Sequence, residues 1–358
     1  MRYLEILSFL VVAGASLAGC EKSESHRDEA AAASDAGKSK VAVDEPDLAN
    51  AVESVRQPRA GESGNNGPDG PPPTGIFAPG AADKAMAKGA PAALTLGSDG
   101  SAPRIQLGPV PKPGTKRAGS IEVATQSDPR QGAIPISLAL SLEAQKPKAE
   151  SDAGAPSALQ MLAKVTGATI NAPGVPAEIA AGLAKLKGSH VDYQLSPDGA
   201  GSNFRYEATK GVDPAFKQAI EALSDTLVVL SLPFPTKPVG VGAYWMITTR
   251  DSVMGLDVVT YRLLKLEKLE GNVATLNLST KRYAASPSFD IEGLPPDAPR
   301  NMGEFRAQSD GTLTMAAGEA FPKSGQLDSV VAAGLGAPDP KTKQRAGIQV
   351  QTRATIAF

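Results

Sequence analysis

Apolar and polar residues alternate in several parts of the chain, which is the pattern of a half-buried antiparallel strand. The clearest case is residues 132–144, where every second position is apolar. The positions on one face are Ile134, Ile136, Leu138, Leu140 and Leu142. Residues 120–127 come just before and are joined to this segment by Asp128-Pro129-Arg130-Gln131. We predict two paired strands here.

Three later segments instead space their apolar residues three or four positions apart, which predicts helices. They begin after Pro156, after Pro176 and at Asp213-Pro214, and proline fits the first turn of a helix. The apolar positions are Leu159, Leu162 and Val165 in the first, Ile179, Leu183 and Leu186 in the second, and Phe216, Ile220, Leu223 and Leu227 in the third. The third helix is expected to end near Val229.

The rest of the second half is predicted to be mostly β. Residues 191–195 and 204–208 alternate around Ser196-Pro197-Asp198-Gly199, which suits a type I turn. Candidate strands in the last third are residues 242–249, 258–266, 273–283, 303–306, 311–315 and 347–358, with one short helix at 326–334. The sequence therefore predicts a single α+β module at residues 117–358, with a large curved antiparallel sheet and a helical insert.

The N-terminus has the pattern of a bacterial secretion signal, predicted to span residues 1–19. A basic Arg2 precedes an almost wholly apolar run at residues 6–17. The run closes in Leu17-Ala18-Gly19-Cys20, which resembles the lipobox of bacterial lipoproteins. Cys20 is the only cysteine in the chain, and an apolar run of about twelve residues is too short to span a bilayer. We predict lipid attachment at Cys20 and anchoring of the mature protein to a membrane.

Residues 20–116 are predicted to be a long disordered linker. Residues 21–115 contain 12 Gly, 12 Pro and a single aromatic residue, Phe77. So little apolar surface cannot offset the entropy of ordering the chain. Glu21 follows the cysteine in place of the Asp that favours inner-membrane retention in many Gram-negative lipoproteins. An outer-membrane location is therefore preferred over the inner membrane.

Charge and composition exclude several function classes. The chain has 358 residues, with 36 Lys and Arg against 38 Asp and Glu, a net charge of −2. Nucleic-acid binding needs a clear cationic surplus, so no nucleic-acid partner is expected. One cysteine rules out metal sites built on several thiolates, and there are two histidines. We predict no metal and no other cofactor.

Residues 233–245 are rich in proline and glycine and contain Gly240-x-Gly242. A phosphate-binding loop needs a strand before the glycines and a helix after them, and the reverse order is predicted here. The structural interpretation is that the prolines end a helix, the glycines allow a close approach, and Trp245 packs on the core.

The same segment carries a family resemblance. The run from Leu232-Pro233 through Pro238-Val239 to Gly242 and Trp245 resembles a Leu-Pro…Pro-Val-x-x-Gly-x-x-Trp signature. That signature belongs to a family of uncharacterised secreted and lipid-anchored bacterial proteins, a domain of unknown function. The run from Leu186-Lys187-Gly188 to residues 195–199 is similar to the family's hairpin. The resemblance implies a secreted β-rich domain and carries no catalytic residue.

No catalytic constellation is visible in the sequence. His190 lies between Ser189 and Asp192, but neighbours on a strand point to opposite faces, and no Gly-x-Ser-x-Gly elbow occurs. The acidic residues Asp290, Glu292 and Asp297 have no calcium-loop spacing. We therefore do not predict an enzyme.

The leading hypothesis is a non-enzymatic binding or interaction module, displayed from a lipid anchor on a flexible tether. Its expected partners are the membrane and either a hydrophobic ligand or another envelope protein, because a curved sheet covered by helices is a common place for apolar pockets. Two alternatives stay open. One is an envelope hydrolase or peptidoglycan-associated enzyme, and the other is a structural spacer.

Overall fold

The computed structural model describes residues 72–358 except for short gaps, which are residues 73, 109–110, 127–132, 147–157, 173, 254–255, 290–299, 320 and 337–345. Three helices are present in the described residues. They are α1 (Ala81–Ala85), α2 (Ala177–Ala184) and α3 (Pro214–Leu230).

Twelve strands form a single sheet. They are β1 (Ala93–Ser98), β2 (Lys116–Gln126), β3 (Ile134–Gln145), β4 (Leu159–Ile170), β5 (His190–Leu195), β6 (Gly201–Glu207), β7 (Tyr244–Val253), β8 (Leu256–Glu270), β9 (Val273–Ala284), β10 (Met302–Ala316), β11 (Ser324–Leu335) and β12 (Ala346–Ala357). The spatial order is β1-β7-β8-β9-β10-β11-β12-β2-β3-β4-β5-β6, and every neighbouring pair is antiparallel. The edge strands are therefore β1 and β6.

The sheet curls so that its two edges approach each other. In a flat sheet of twelve strands the edges would lie about 50 Å apart. Here Gln106, a few residues after β1, donates its side-chain amide to the carbonyl of Pro235 at 2.9 Å. The N–H of Phe234 donates to the carbonyl of Asp198 in the β5–β6 turn, also at 2.9 Å. The segment between α3 and β7 thus bridges both edges.

Helix α3 lies inside this curve. It packs against β5 and β6 at one edge, yet the charge of its Asp225 acts on Arg282 of β9, seven strands further along the sheet. Its apolar stripe is fully buried at Ile220, Leu223 and Leu227. These spacings of four and three place the stripe on one face of the helix. The predicted third helix is confirmed, and its apolar stripe packs on the concave side of the sheet.

The concave face carries the main core. Its alternate positions on nearly all strands join one cluster with α2 and α3, and Ile121, Leu140, Val191, Leu264 and Leu276 are examples from five strands. This arrangement confirms the predicted large antiparallel sheet. The helical share is smaller than predicted, so the protein is mainly β with few helices.

Residues before Arg117 belong to the folded part, which corrects the predicted boundary of the linker. Strand β1 pairs with β7, and Phe77 and Met86 of the preceding segment are buried against Tyr261 on the convex face. The low aromatic content misled the prediction, because Phe77 and Met86 together with smaller residues such as Ala82 and Leu107 supply the buried contacts. Residues 1–71 lie outside the described residues.

An arginine ties this N-terminal segment to the sheet. Arg250 of β7 contacts both carboxylate oxygens of Asp257 at 2.8 and 3.0 Å. It also bonds to Asp83 of α1 at 2.6 Å and to the carbonyl of Met86 at 2.9 Å. The Arg250 side chain is 7% exposed, whereas the side chains of Asp257 and Asp83 are 34% and 66% exposed, so the bonds to Asp257 are the better shielded from solvent.

Two predicted helices are strands. Residues 159–165 lie in β4, where Met161, Ala163 and Val165 face the core and the intervening residues face outward. Residues 326–334 lie in β11, which pairs with β10 and β12 over its full length. In both cases pairing on two sides outweighed a helical spacing of only a few residues. The predicted strands 303–306 and 311–315 are parts of one long strand, β10.

The proline- and glycine-rich segment has the structural role that its sequence predicts. Exposed Pro238 precedes Val239, which exchanges two backbone hydrogen bonds with Ile105. A side chain at Gly240 would overlap the backbone oxygen of Ser101, and Gly242 has a positive φ of 83°. The next strand then buries Trp245 completely, with its ring centroid 6.3 Å from that of Phe234.

Replacing Gly240 with alanine should lower the free energy of unfolding by about 1–3 kcal/mol, because the new methyl group must displace the chain at Ser101. Urea unfolding of the full chain measures this. Gly167→Ala is the matched control, since its methyl group would meet Ala139 at an ordinary 3.9 Å. Equal losses in the two variants would contradict the close-approach role.

The Arg250 contacts should also make stability depend on pH. Its guanidinium holds the pKa of the Asp257 carboxyl below the usual value. The stabilisation is therefore fully present above the unfolded-state pKa of about 3.9 and is lost as the pH falls through the folded-state pKa. We expect Asp257→Asn to be less stable than the parent protein at pH 7, with the difference shrinking towards pH 2. Urea midpoints across this range measure it.

Glu304→Gln, at an exposed position of β10, serves as the control for that series. Its stability should follow that of the parent protein at every pH, within about 0.5 kcal/mol. A constant gap between Asp257→Asn and the parent from pH 7 to pH 2 would show that the carboxylate does not carry the effect.

Candidate functional site

A cavity of about 240 Å³ opens at one end of the curled sheet. We call it the end pocket. Its walls come from the start of β2, the end of β3, the start of β4 and the β10–β11 connection. The lining residues are Pro111, Lys112, Thr115, Arg117, Leu142, Ala144, Met161, Gly318, Glu319 and Phe321.

The floor of the end pocket is apolar because of strand alternation. Leu142 and Ala144 lie two residues apart on β3, and both face the concave side. Met161 faces the same way from β4, since it lies next to Ala144 in the strand register. Phe321 closes the floor from the β10–β11 connection. A methionine suits such a site because its flexible thioether adapts to different shapes.

The rim of the pocket is polar. Arg117 lies opposite Leu142 in the β2–β3 register and so faces the same concave side. Its guanidinium contacts Glu319 at 2.8 Å and donates to the backbone oxygen of Phe358 at 3.2 Å. Lys112 is exposed beside it. The arrangement combines a dry floor with charged groups at the opening.

The volume of the end pocket limits the size of the ligand that fits inside it. Typical small-molecule sites occupy about 300–1,000 Å³, whereas a cavity of about 150 Å³ accepts benzene. The end pocket lies between these values. It has room for one ring or a short aliphatic chain, with the remainder of the ligand outside at the charged rim.

The residues singled out in the sequence do not line this pocket. Pro238, Gly240, Gly242 and Trp245 connect α3 to β7 as described above, and none of them lines the cavity. The lipobox residues Leu17, Ala18, Gly19 and Cys20 lie outside the described residues, as do Asp290, Glu292 and Asp297.

Ser189 and His190 do not come together. The Ser189 hydroxyl is fully buried, accepts a hydrogen bond from the backbone N–H of Thr209 at 2.9 Å and lies 3.2 Å from that residue's hydroxyl. His190 points to the other face, where its Nε2 lies 3.7 Å from Glu207. The expectation from strand alternation is thus met at this pair.

Two further features of the described ranges concern metals and membranes. No group of three His, Cys, Asp or Glu side chains there lies close enough to hold a metal ion. No described helix is both long and apolar enough to cross a membrane.

No protein-family model matches the chain, and no curated protein matches it at a significant level. The family resemblance of the Leu232–Trp245 run therefore stays a prediction. Function has to be inferred from the residues and their geometry.

Sequence reasoning missed the end pocket, although one signal was present. Arg117 begins an alternating run that continues through Gly119, Ile121 and Val123 to the concave face. A cation in phase with buried positions indicates an inward-facing charge at the end of a strand. The residues from β4 and from the β10–β11 connection could not be found this way, because only the fold brings them to the same place.

Proposed function

We propose that this protein is a lipid-anchored cell-envelope protein whose folded module binds the apolar part of a small ligand. The single observation that carries the binding role is the end pocket, with an apolar floor under a charged rim. The lipobox carries the anchor. We assign no catalytic role to the module.

The anchor proposal follows from the chemistry of Leu17-Ala18-Gly19-Cys20. Small residues before the cysteine suit cleavage by a signal peptidase, and the thiol accepts a diacylglyceryl group. Two or more acyl chains give stable attachment, whereas a single chain gives only marginal binding. Glu21 favours the outer membrane, because it replaces the Asp of inner-membrane retention.

The ligand proposal follows from the shape and polarity of the end pocket. Leu142, Ala144, Met161 and Phe321 offer an apolar surface to a ring or a short acyl chain. Burying each additional methylene group would contribute about 0.8 kcal/mol. Arg117 and Lys112 at the rim offer hydrogen-bond donors to a polar end that stays in water. A short amphipathic molecule fits both parts.

Cells that express the protein should incorporate a palmitate analogue into the full chain, and Cys20→Ser should abolish the label. Gel fluorescence after click labelling of the analogue measures this. Membrane fractionation should show the parent chain in the outer-membrane fraction and Cys20→Ser outside it. Ser23→Ala, close to the cysteine, is the control and should keep the label. An unlabelled parent chain would overturn the anchor.

Binding at the end pocket can be tested with 1-octanol and the full-length chain. Octanol should raise the thermal unfolding midpoint of the parent protein, because a ligand that binds only the folded state stabilises it. Ala144→Leu should fill the pocket and weaken octanol binding at least tenfold, which corresponds to about 1.4 kcal/mol. Calorimetric titration gives the affinities.

Ala139→Leu is the matched control for that experiment. Ala139 lies on the same strand, but it is exposed on the opposite face. This variant should bind octanol like the parent protein. If octanol does not bind the parent, or binds Ala144→Leu as tightly, the end pocket is not the ligand site.

A further inference from the structure

Four polar side chains interrupt the apolar concave face on two adjacent strands. Thr260 and Arg262 lie on β8, in phase with the core residue Leu264. Thr280 and Arg282 lie on β9, in phase with Leu278. We call these four residues the arginine–threonine block.

The strand register makes the block compact. Thr260 lies directly opposite Arg282, and Arg262 directly opposite Thr280. Directly opposed residues have Cβ atoms about 4.5–5.5 Å apart. The two arginines are therefore diagonal neighbours, and all four side chains leave the sheet on the same side.

Apolar clusters bound the block on both sides along the strands. Towards one end lie Leu264 and Leu278 of the main core. Towards the other lie Val258 and Ala284, which pack with Phe305 in a separate cluster. Across the strands the polar positions continue with Thr249 and Asp251 on β7 and Ser309 on β10, so the block is the centre of a polar strip on a buried face.

Arg262 is only partly satisfied by its neighbours. It is 3% exposed and donates from Nη1 to the hydroxyl of Thr249 at 2.9 Å. Its contact from Nη2 to Asp251 is long, at 3.4 Å, and the same carboxylate accepts a closer bond of 2.6 Å from Thr249. No described residue accepts a hydrogen bond from its Nε.

The same deficit recurs at each of the four residues. Arg262 Nε, Arg282 Nε, Thr260 Oγ1 and Thr280 Oγ1 are all buried and have no hydrogen-bond partner in the described part of the chain. Leaving a buried polar group unpaired costs about 1–3 kcal/mol, and more for a charged group. All four can donate, so the missing partner is a group rich in acceptors.

Electrostatics agree with this conclusion. Burial lowers the pKa of the Arg262 guanidinium, with the charge of Asp251 opposing and the charge of Arg282 lowering it further. Burial also lowers the pKa of Arg282, against the charges of Asp225 and Asp251. The two cations repel each other, the carboxylates of Asp251 and Asp225 offset part of this repulsion, and a further anion would favour the charged form of both arginines.

The block borders the surface on one side. Arg282 is partly exposed, and the side chain of Asp251 is 24% exposed. Thr260, Arg262 and Thr280 are buried behind them. Arginine presents its donors in a planar fork that matches phosphate oxygens, which distinguishes it from lysine in such sites.

We propose that the arginine–threonine block binds a phosphate group on the concave face of the sheet. Two Nε–H groups and two hydroxyls donate to its oxygens, and the guanidiniums neutralise its charge. The phosphate is either free in solution or carried on a lipid headgroup. This site is separate from the end pocket and does not depend on the proposed function, because it involves other residues and another ligand chemistry.

The test uses the full-length chain and calorimetric titration with inorganic phosphate and, separately, with dihexanoyl phosphatidic acid. Dihexanoyl phosphatidylcholine is the control ligand, because its phosphate is a diester whose single negative charge is balanced by the choline cation. We expect binding of one equivalent of phosphate or of phosphatidic acid, and at least tenfold weaker binding of phosphatidylcholine. Tighter binding of phosphatidic acid than of inorganic phosphate identifies the lipid headgroup as the source, and the reverse identifies the free anion.

Two double variants locate the site. Arg262→Gln with Arg282→Gln should weaken binding at least tenfold, and Thr260→Val with Thr280→Val should weaken it severalfold while keeping the shape of the side chains. Arg306→Gln is the matched control, because Arg306 is exposed on the neighbouring strand β10. It should bind like the parent protein. The threonine variants decide the matter if the arginine variants do not fold.

The proposal is overturned if neither phosphate nor phosphatidic acid binds the parent protein. It is also overturned if the folded block variants bind as tightly as Arg306→Gln, since the anion then lies elsewhere. Octanol binding at the end pocket is measured with different variants, so failure of one test leaves the other standing.

Discussion

A twelve-stranded sheet has to bury one apolar face across its whole width, and helix α3 is the longest element available on that side. At about 4.8 Å per strand the sheet is more than 50 Å wide, whereas a helix with its side chains is about 10 Å across. Helix α3 can cover that face only if the sheet bends around it. The contacts of Phe234 and Gln106 across the two edges fix this bend.

The same bend explains where the cavity forms. A helix of 17 residues extends about 25 Å, so it cannot fill the whole interior. Near one end of the sheet, Leu142 of β3 and Met161 of β4 line the end pocket on one side, and the β10–β11 connection lines it on the other. None of the residues that line this pocket belongs to a helix. The end pocket is thus a consequence of enclosing a short helix in a wide sheet, and Arg117 with Glu319 sets its polarity.

The fold was largely predictable where the sequence pattern is local. The spacing of Ile220, Leu223 and Leu227 sufficed for α3, and alternation sufficed for β3. Prediction failed for β4 and β11, because their identity depends on pairing with the strands before and after them, which the spacing of a few apolar residues does not reveal. The candidate sites could not be predicted for the same reason. Arg262 and Arg282 look like ordinary surface charges until the register of β8 and β9 places them on the concave face.

Burying the four polar side chains of the arginine–threonine block lowers the free energy of unfolding. This loss of stability bears on whether the block serves the fold or a ligand. Replacing a buried ion pair by well-packed apolar residues is often neutral or stabilising. Aliphatic residues at these four positions would join the clusters around Leu264 and Val258 into one continuous core. Instead the chain interrupts its core with two guanidiniums that face the carboxylates of Asp251 and Asp225, and neither Nε group has a partner in the described part of the chain. Stability alone gives no reason for this arrangement, whereas a ligand with several acceptor oxygens does.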